Sequence, residues 1–314
     1  MTTSSSLSNA PQQVTKRQAW IRATRPRVFT AAYVPMGIAA AAALRDGVFQ
    51  LLPFALSLIG VMLLQTAANL VNEYYDFKRG ADELKVAGQG MAIKHFGLTP
   101  REIGIGALVT LIGGCLIGLF LLTQSGPALL WIGLGGALVA VTYTAGPYPL
   151  AYHGLGEVAA GIFMGPMIVI GAYYVMSRGQ IAPDLWLISI PAALMVAAIL
   201  HANNLRDMDA DRAVNKRTLA VLLGRDAARV EYMLLVGGAY FALVVLVLMK
   251  ALPPTVLLAF LTAREAQALM RIFNTQTDPA TLHPAQGRTA KLHGQFGLLM
   301  VAGWLLWLLA DALI

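Results

Sequence analysis

The stretch LLPFALSLIGVMLLQTAANLVNEYYDFKRGAD, residues 51–82, decides the fold. From Leu51 to Leu70 it carries no charge, and about 20 predominantly apolar residues is the length at which an α-helix crosses a bilayer. The run then ends in a crowd of polar side chains. Asn69, Asn72 and Asp76 recur at i, i+3 and i+7, so on a helix they share one face. Gly80 offers a stop just beyond them.

The same apolar grouping recurs along the whole chain. Of 314 residues 57% are hydrophobic and 12% are charged, against about 25% charged in an ordinary soluble domain. Nine runs of spanning length are present, at 28–48, 51–72, 102–123, 127–145, 157–177, 184–204, 230–250, 252–271 and 293–313. Arg45 closes the first early, and Arg264 and Glu265 interrupt the eighth. The expectation is an all-α polytopic membrane protein of about nine transmembrane helices, bundled around a cavity open to the cytoplasm.

Basic residues set the orientation. With a cytoplasmic N-terminus, the arm before the first span, the loops after the even-numbered spans and the eighth span itself hold 20 of the 23 Lys and Arg, and only Arg45, Arg178 and Lys250 fall outside. That is the positive-inside pattern. It accounts for the net charge of +7 through anionic headgroups or an anionic substrate, with no need of nucleic acid. The polar opening MTTSSSLSNAPQQVT is no signal peptide; residues 1–18 are expected to be a disordered arm and 19–314 one transmembrane domain. The lone Cys115 excludes an internal disulfide and suits helix packing.

The polar end of the second span has an echo. NNLRDMDADRAVNKR, 203–217, repeats Asn72-x-x-x-Asp76 as Asn203-x-x-x-Asp207, again at the end of an even-numbered span. Asn203, Asp207 and Asp211 lie at i, i+4 and i+8; in the first copy Gly80 stands opposite Asp211, and the next carboxylate is Asp82. Like charges at i,i+4 repel, and carboxylates at a helix C-terminus oppose its dipole. A divalent cation would reverse both effects. Mg²⁺ takes one or two carboxylates, waters and substrate phosphate oxygens, while nearby Lys and Arg hold the remaining phosphate charge. One such loop alone would read as a solvated surface with casual pairs, Asp207 with Arg206 or Asp211 with Arg212. Two matched copies argue for one shared metal–diphosphate site between two halves.

These residues carry a family resemblance. The chain resembles the UbiA superfamily of intramembrane aromatic prenyltransferases, and within it the 1,4-dihydroxy-2-naphthoate polyprenyltransferase branch of menaquinone synthesis. The resemblance rests on Arg25-Pro26, NLVNEYYDFKRGAD (69–82), GQGMAIKHFGLTP (88–100), YTAGPYPLAYHGLGE (143–157), FMGPMIVIGAYYV (163–175), NNLRDMDADRAVNKRTLAVLLG (203–224) and TAKLHGQFGLL (289–299). Two departures stand out: Glu73 replaces the Asp that usually follows the second Asn in the naphthoate branch, and Gly80 replaces a second Asp of the wider family.

The resemblance implies Mg²⁺-dependent transfer of a polyprenyl group from its diphosphate to an electron-rich aromatic quinone precursor, with loss of CO₂ for the naphthoate. Metal ligands would be Asn72, Asp76, Asp82, Asn203, Asp207 and Asp211; Arg25, Lys94, Arg206, Lys216 and Arg217 would hold the diphosphate. Catalysis would fall to Asp76, Asp207 and Asp211, with Tyr143 and Tyr148 facing the allylic cation, though these tyrosines and Tyr152 also suit an interfacial belt. Other acceptors of the superfamily, 4-hydroxybenzoate, homogentisate, haem or chlorophyllide, remain open. The implied place is the bacterial cytoplasmic membrane. His153, His201 and His293 are expected as satisfied helix-end residues, Trp131 and Trp304 as packing or interface anchors, and Glu265 as a pair with Arg264. A secondary transporter would instead carry ionisable residues at the midplane of broken helices, and a lipid phosphotransferase would gather its acids in one segment.

Overall fold

A computed structural model describes residues 14–83, 85 and 91–313. Among them every regular element is helical, and the single β-bridge joins His153 to Arg217. Residues 1–13 of the expected arm lie outside the described residues, whereas residues 16–18 belong to a helix. Thr15 opens α1 (Lys16–Ala23) through a reciprocal cap with Gln18, the arrangement that satisfies two otherwise unpaired N–H groups.

Each apolar run of the sequence forms helix, but fewer than nine are spanning helices by length and composition. Six qualify: α3 (Leu51–Lys78), α5 (Pro100–Ser125), the α7–α8 unit (Gly156–Met176), the α9–α10 unit (Leu185–Ala213), α12 (Arg225–Leu248) and α14 (Pro279–Asp311). A seventh arises if Lys16–Val28 and α2 (Thr30–Arg45) are one span, bent by 49°. The fourth run is the 15-residue α6 (Ala128–Thr142). The eighth divides into a 3₁₀ stretch, Pro254–Thr262, and the amphipathic α13 (Ala263–Thr275). Short helices α4 (Ala92–Phe96) and α11 (Leu219–Leu223) lie between spans. The Arg264–Glu265 pair expected there does not form: Glu265 instead accepts two hydrogen bonds from Arg288 of α14, at 2.8 and 2.9 Å.

Packing separates an inward from an outward face. Trp304, Tyr232, Phe273 and Phe296 are fully buried in a core shared by α2, α8, α10, α12, α13 and α14. By contrast Leu108, Leu116, Trp131, Leu134 and Leu138 on α5 and α6 are 55–72% exposed around the outside, where only lipid makes such a surface favourable. Pro166, which lacks an N–H, sits in a π-helical turn, Phe163–Met167, between α7 (Gly156–Ile162) and α8 (Ile168–Met176). Close approach there requires Gly165, since a Cβ would meet the Ala193 backbone at 2.9 Å.

At one end of the bundle Arg45 pairs with Asp46 and Asp184, Tyr173 donates to Asp46 at 2.7 Å, and Gln50 donates to the Met176 carbonyl at 2.8 Å. The other end gathers the C-termini of α3, α6 and α10 (Ile190–Ala213) with the N-termini of α12 and α14, and the candidate site lies there.

Candidate active site

α3 and α10 keep their polar repeats inside the helix and present them to each other. α3 ends at Lys78, and Gly80 at φ +73° turns the chain back so that Asp82 is buried. Lys94 holds that turn by donating to the Asp82 and Glu83 carbonyls at 2.7 and 3.1 Å. Glu73, 1% exposed, accepts from the Met91 and Ile93 amides at 2.8 and 3.3 Å and pairs with Arg25 at 3.5 Å. Its long arm therefore ties the following loop to α3. Arg25 itself sits in the left-handed region at φ 55°, a conformation that costs a non-glycine residue about 1 kcal/mol, fixed between Thr24 and Pro26.

One ammonium joins the halves. Lys216 lies 3.7 Å from Asp76 of the first motif and 3.5 Å from Asp211 of the second. Lys85 lies 3.0 Å from both Asp76 and Asp82, and Arg206 grips Asp207 with two hydrogen bonds of 2.7 and 2.6 Å while donating to Asn203 at 2.7 Å. Burial alone would lower both lysine pKa values, but the facing carboxylates outweigh it and hold each above the ordinary lysine value. Both stay charged at neutral pH.

These groups line a cavity of about 270 Å³. Arg25, Asn72, Asp76, Asp82, Tyr143, Asn203, Arg206, Asp207 and Lys216 are on its wall, as are Lys85, Asn204 and Gln286, which the sequence did not single out. Asp211 lies off the wall, 1% exposed against Lys216. Three expected site residues are elsewhere. Lys94 is occupied with the turn carbonyls and Arg217 is exposed. Tyr148 is 58% exposed and stacked on His153, ring centres 3.6 Å apart. Tyr152 contributes differently: its hydroxyl donates to Asp76 at 3.3 Å, and Arg79 and Lys216 lie over its ring at 4.5 and 5.5 Å. Burial, followed by Asp76, raises its pKa, so it remains a neutral donor. Tyr143 alone of the three reaches the cavity.

Fit to a hard divalent cation follows from the donor set. The donors on the wall, Asn72, Asp76, Asp82, Asn203 and Asp207, are all oxygen donors, the kind Mg²⁺ takes, one or two carboxylates at a time together with substrate phosphate; no three His, Cys, Asp or Glu side chains converge among the described residues. Both Asp211 carboxylate oxygens are buried without a hydrogen-bond partner, with only the ion pair to Lys216 at 3.5 Å to offset the cost, so their lone pairs remain open to a further cation. Lys85 between Asp76 and Asp82 marks a second point where positive charge is stabilised.

A second cavity of about 290 Å³ runs between α3, α5, α6 and α8. Its lining is apolar, and Val61, Leu64, Gly136, Phe163 and Ile168 line both cavities. Leu119, Leu130 and Leu134, 44–55% exposed, carry it to the lipid-facing surface.

Residues 33–285 match the UbiA prenyltransferase family. The chain belongs to that family. The UbiA match is accompanied by 34% identity over 297 residues to 1,4-dihydroxy-2-naphthoate octaprenyltransferase of Bacillus subtilis (strain 168), covering 95% of each chain. Among solved structures, a UbiA homologue from Aeropyrum pernix K1 superposes with a TM-score of 0.68 at 17% identity, covering 88% of this chain and 97% of that one. A UbiA homologue from Archaeoglobus fulgidus, bound to GPP and Mg²⁺, superposes at 0.53 and 15% identity, covering 90% and 99%. The protein is a UbiA-type integral membrane prenyltransferase.

Two histidines correct the sequence reading. His201 and His293 are fully buried inside α10 and α14 rather than at helix ends; His293 contacts the Thr30 hydroxyl at 3.0 Å. Of the two casual pairs that a solvated loop would show, Asp207 with Arg206 forms, but buried, whereas Asp211 pairs with Lys216 and Arg212 with Asp209, at 3.6 Å.

Proposed function

We propose that this prenyltransferase moves a polyprenyl group from its diphosphate onto 1,4-dihydroxy-2-naphthoate at the cytoplasmic face of a bacterial membrane, with loss of CO₂. The observation that carries the reading is a cavity ringed by carboxylates from both repeats and by four buried or half-buried cations, continuous with an apolar cleft that reaches lipid. The B. subtilis relative bears the name of that activity, and the A. fulgidus homologue holds a short prenyl diphosphate with Mg²⁺.

Asn72, Asp76 and Asp82 on one side, and Asn203, Asp207 and Asp211 on the other, would hold the metal. Mg²⁺ would supply Lewis-acid stabilisation of the departing diphosphate. Arg25, Lys85, Arg206 and Lys216 face that anion as charge develops on it, in a site already organised for the purpose. The C1–O bond of the prenyl group breaks with both electrons leaving on pyrophosphate. The carboxylate-bearing ring carbon gives a π pair to the allylic cation, and its bond to the carboxyl group then breaks, releasing CO₂ and returning the pair to the ring. The apolar wall excludes water, which would quench the cation, and Tyr143 offers it a π face.

The test is incubation of purified protein with labelled polyprenyl diphosphate and a panel of aromatic acceptors. Product is expected with the naphthoate and Mg²⁺, none after EDTA, and recovery on adding Mg²⁺ back. Turnover undiminished in EDTA, or transfer confined to another acceptor, overturns the reading.

Orientation has its own test. With Cys115 replaced by Ser, cysteines at Glu83 and Ala213, both exposed, are expected to label from one side and a cysteine at Gln180 from the other. Ala81 and Gly179 are unsuitable, being 1% exposed and clashing with the Ser125 carbonyl respectively. Labelling of Glu83 and Ala213 from opposite sides would separate the two halves of the site.

A further inference from the structure

One buried polar cluster lies against the cavity wall and has no part in diphosphate binding. His201, 0% exposed, faces the Glu157 carboxylate through Nδ1 at 3.0 Å and the Ala228 carbonyl through Nε2 at 2.7 Å. Both ring nitrogens are thereby engaged, and the ring braces Glu157 against α12. Glu231 lies 3.6 Å from the same Nδ1. Glu157 is itself 3% exposed.

Asn204 is the next link. Its Nδ2 donates to Glu157 Oε1 at 2.8 Å. That bond turns the amide nitrogen toward Glu157 and the oxygen away from it. Asn204 lines the cavity. Its Oδ1 is not among the buried atoms sealed without a partner, and no side chain or backbone group of the described residues donates to it. The oxygen is therefore an acceptor offered to whatever fills the cavity.

We infer that Asn204 Oδ1, oriented by the Glu157–His201 pair, binds a ring hydroxyl of the aromatic acceptor. The inference rests on the aromatic-prenylation reading above. Of the two substrates in that reading, the diphosphate at neutral pH and the prenyl chain bring acceptors or no polar group, and the phenolic O–H alone brings a donor. Glu157 and His201 are positioning residues. They touch no substrate, and their effect passes through the Asn204 amide.

The experiment measures Michaelis constants for both substrates in the full-length protein and its Asn204→Leu variant, together with inhibition constants of acceptor analogues lacking one ring hydroxyl each. Loss of one hydrogen bond is expected to raise the acceptor KM about tenfold and leave the prenyl diphosphate KM unchanged. The analogue lacking the recognised hydroxyl should bind parent and variant equally, while the other analogue should lose affinity in the variant. Asn204→Ser, whose hydroxyl donates to Glu157 and leaves nothing to reach the cavity, should give the same pattern and serves if the Leu variant fails to fold. Equal rises in both KM values, or unchanged discrimination among the analogues, would overturn the assignment. Failure of the parent to use any aromatic acceptor overturns the functional reading instead, so the two failures are told apart.

Discussion

Asp76→Asn is expected to reduce prenyl transfer by about 10³-fold, the scale lost when a site gives up a group that stabilises developing charge. Asp207→Asn should do the same. Each keeps its shape and loses the negative charge that would draw the metal to the diphosphate. Both also bear on folding, Asp207 because its buried carboxylate is gripped by Arg206 through two hydrogen bonds. From the sequence, an unpaired carboxylate at a helix C-terminus should be removable with a gain in stability. The structure reverses that expectation for Asp76, because its carboxylate serves Lys85, Lys216 and the Tyr152 hydroxyl at once. Removing one partner of a buried ion pair costs about 3–5 kcal/mol, so Asp76→Asn should also unfold more readily. Asp211→Asn removes fewer contacts, the 3.5 Å pair with Lys216 and no hydrogen bond, so turnover should fall with a smaller loss of stability than in Asp76→Asn. Asp184→Asn, at the opposite end and paired to Arg45, should keep near-parental turnover and lose a little stability. Turnover is to be normalised to folded protein by size-exclusion recovery. Near-parental transfer by folded Asp207→Asn would return that motif to a solvated loop.

The sequence made the helices and the two polar ends visible because both depend on local periodicity. Apolar length marks a span whatever it packs against, and Asn72–Asp76 and Asn203–Asp207 share a face by spacing alone. What it hid depends on distant partners. Glu157 meets His201 across 44 residues, and Glu265 meets Arg288 across 23 instead of its neighbour Arg264. Tyr148 and Tyr152 looked equivalent in one loop, yet a 3₁₀ turn at Leu150–Tyr152 sends the second to Asp76 and leaves the first in solvent. Six or seven runs among the described residues have the length and composition of a spanning helix; the other apolar runs are not long helices, as in the 3₁₀ stretch after Pro253. Lys85 was read only as a loop charge, because nothing local says that Gly80 folds Asp82 and Lys85 back onto Asp76.

Lys216→Met should lower turnover by about 10²-fold or more and, unlike a surface lysine, should be felt by both halves of the site. Its ammonium is the group within 4 Å of carboxylates from both motifs, and its pKa is raised, so the positive charge persists at every pH used for assay. Replacing it leaves Asp76 and Asp211 facing each other with less compensation, which destabilises the fold as well as the diphosphate complex. The decisive variant is the double replacement. In Asp76→Asn the Lys216 charge still faces Asp211 at 3.5 Å; adding Lys216→Met leaves that carboxylate unpaired. The double variant should therefore be no more stable than Asp76→Asn and equally inactive. Yet it should lose less stability than the two single variants summed, because the Asp76–Lys216 pair can be broken only once. Non-additivity in stability with no recovery of turnover is the signature of residues that balance one another's charge and act on one shared substrate. Stability losses that simply add would mean that Lys216 and Asp76 are independent, and the joint between the two repeats would have to be sought elsewhere in the cavity.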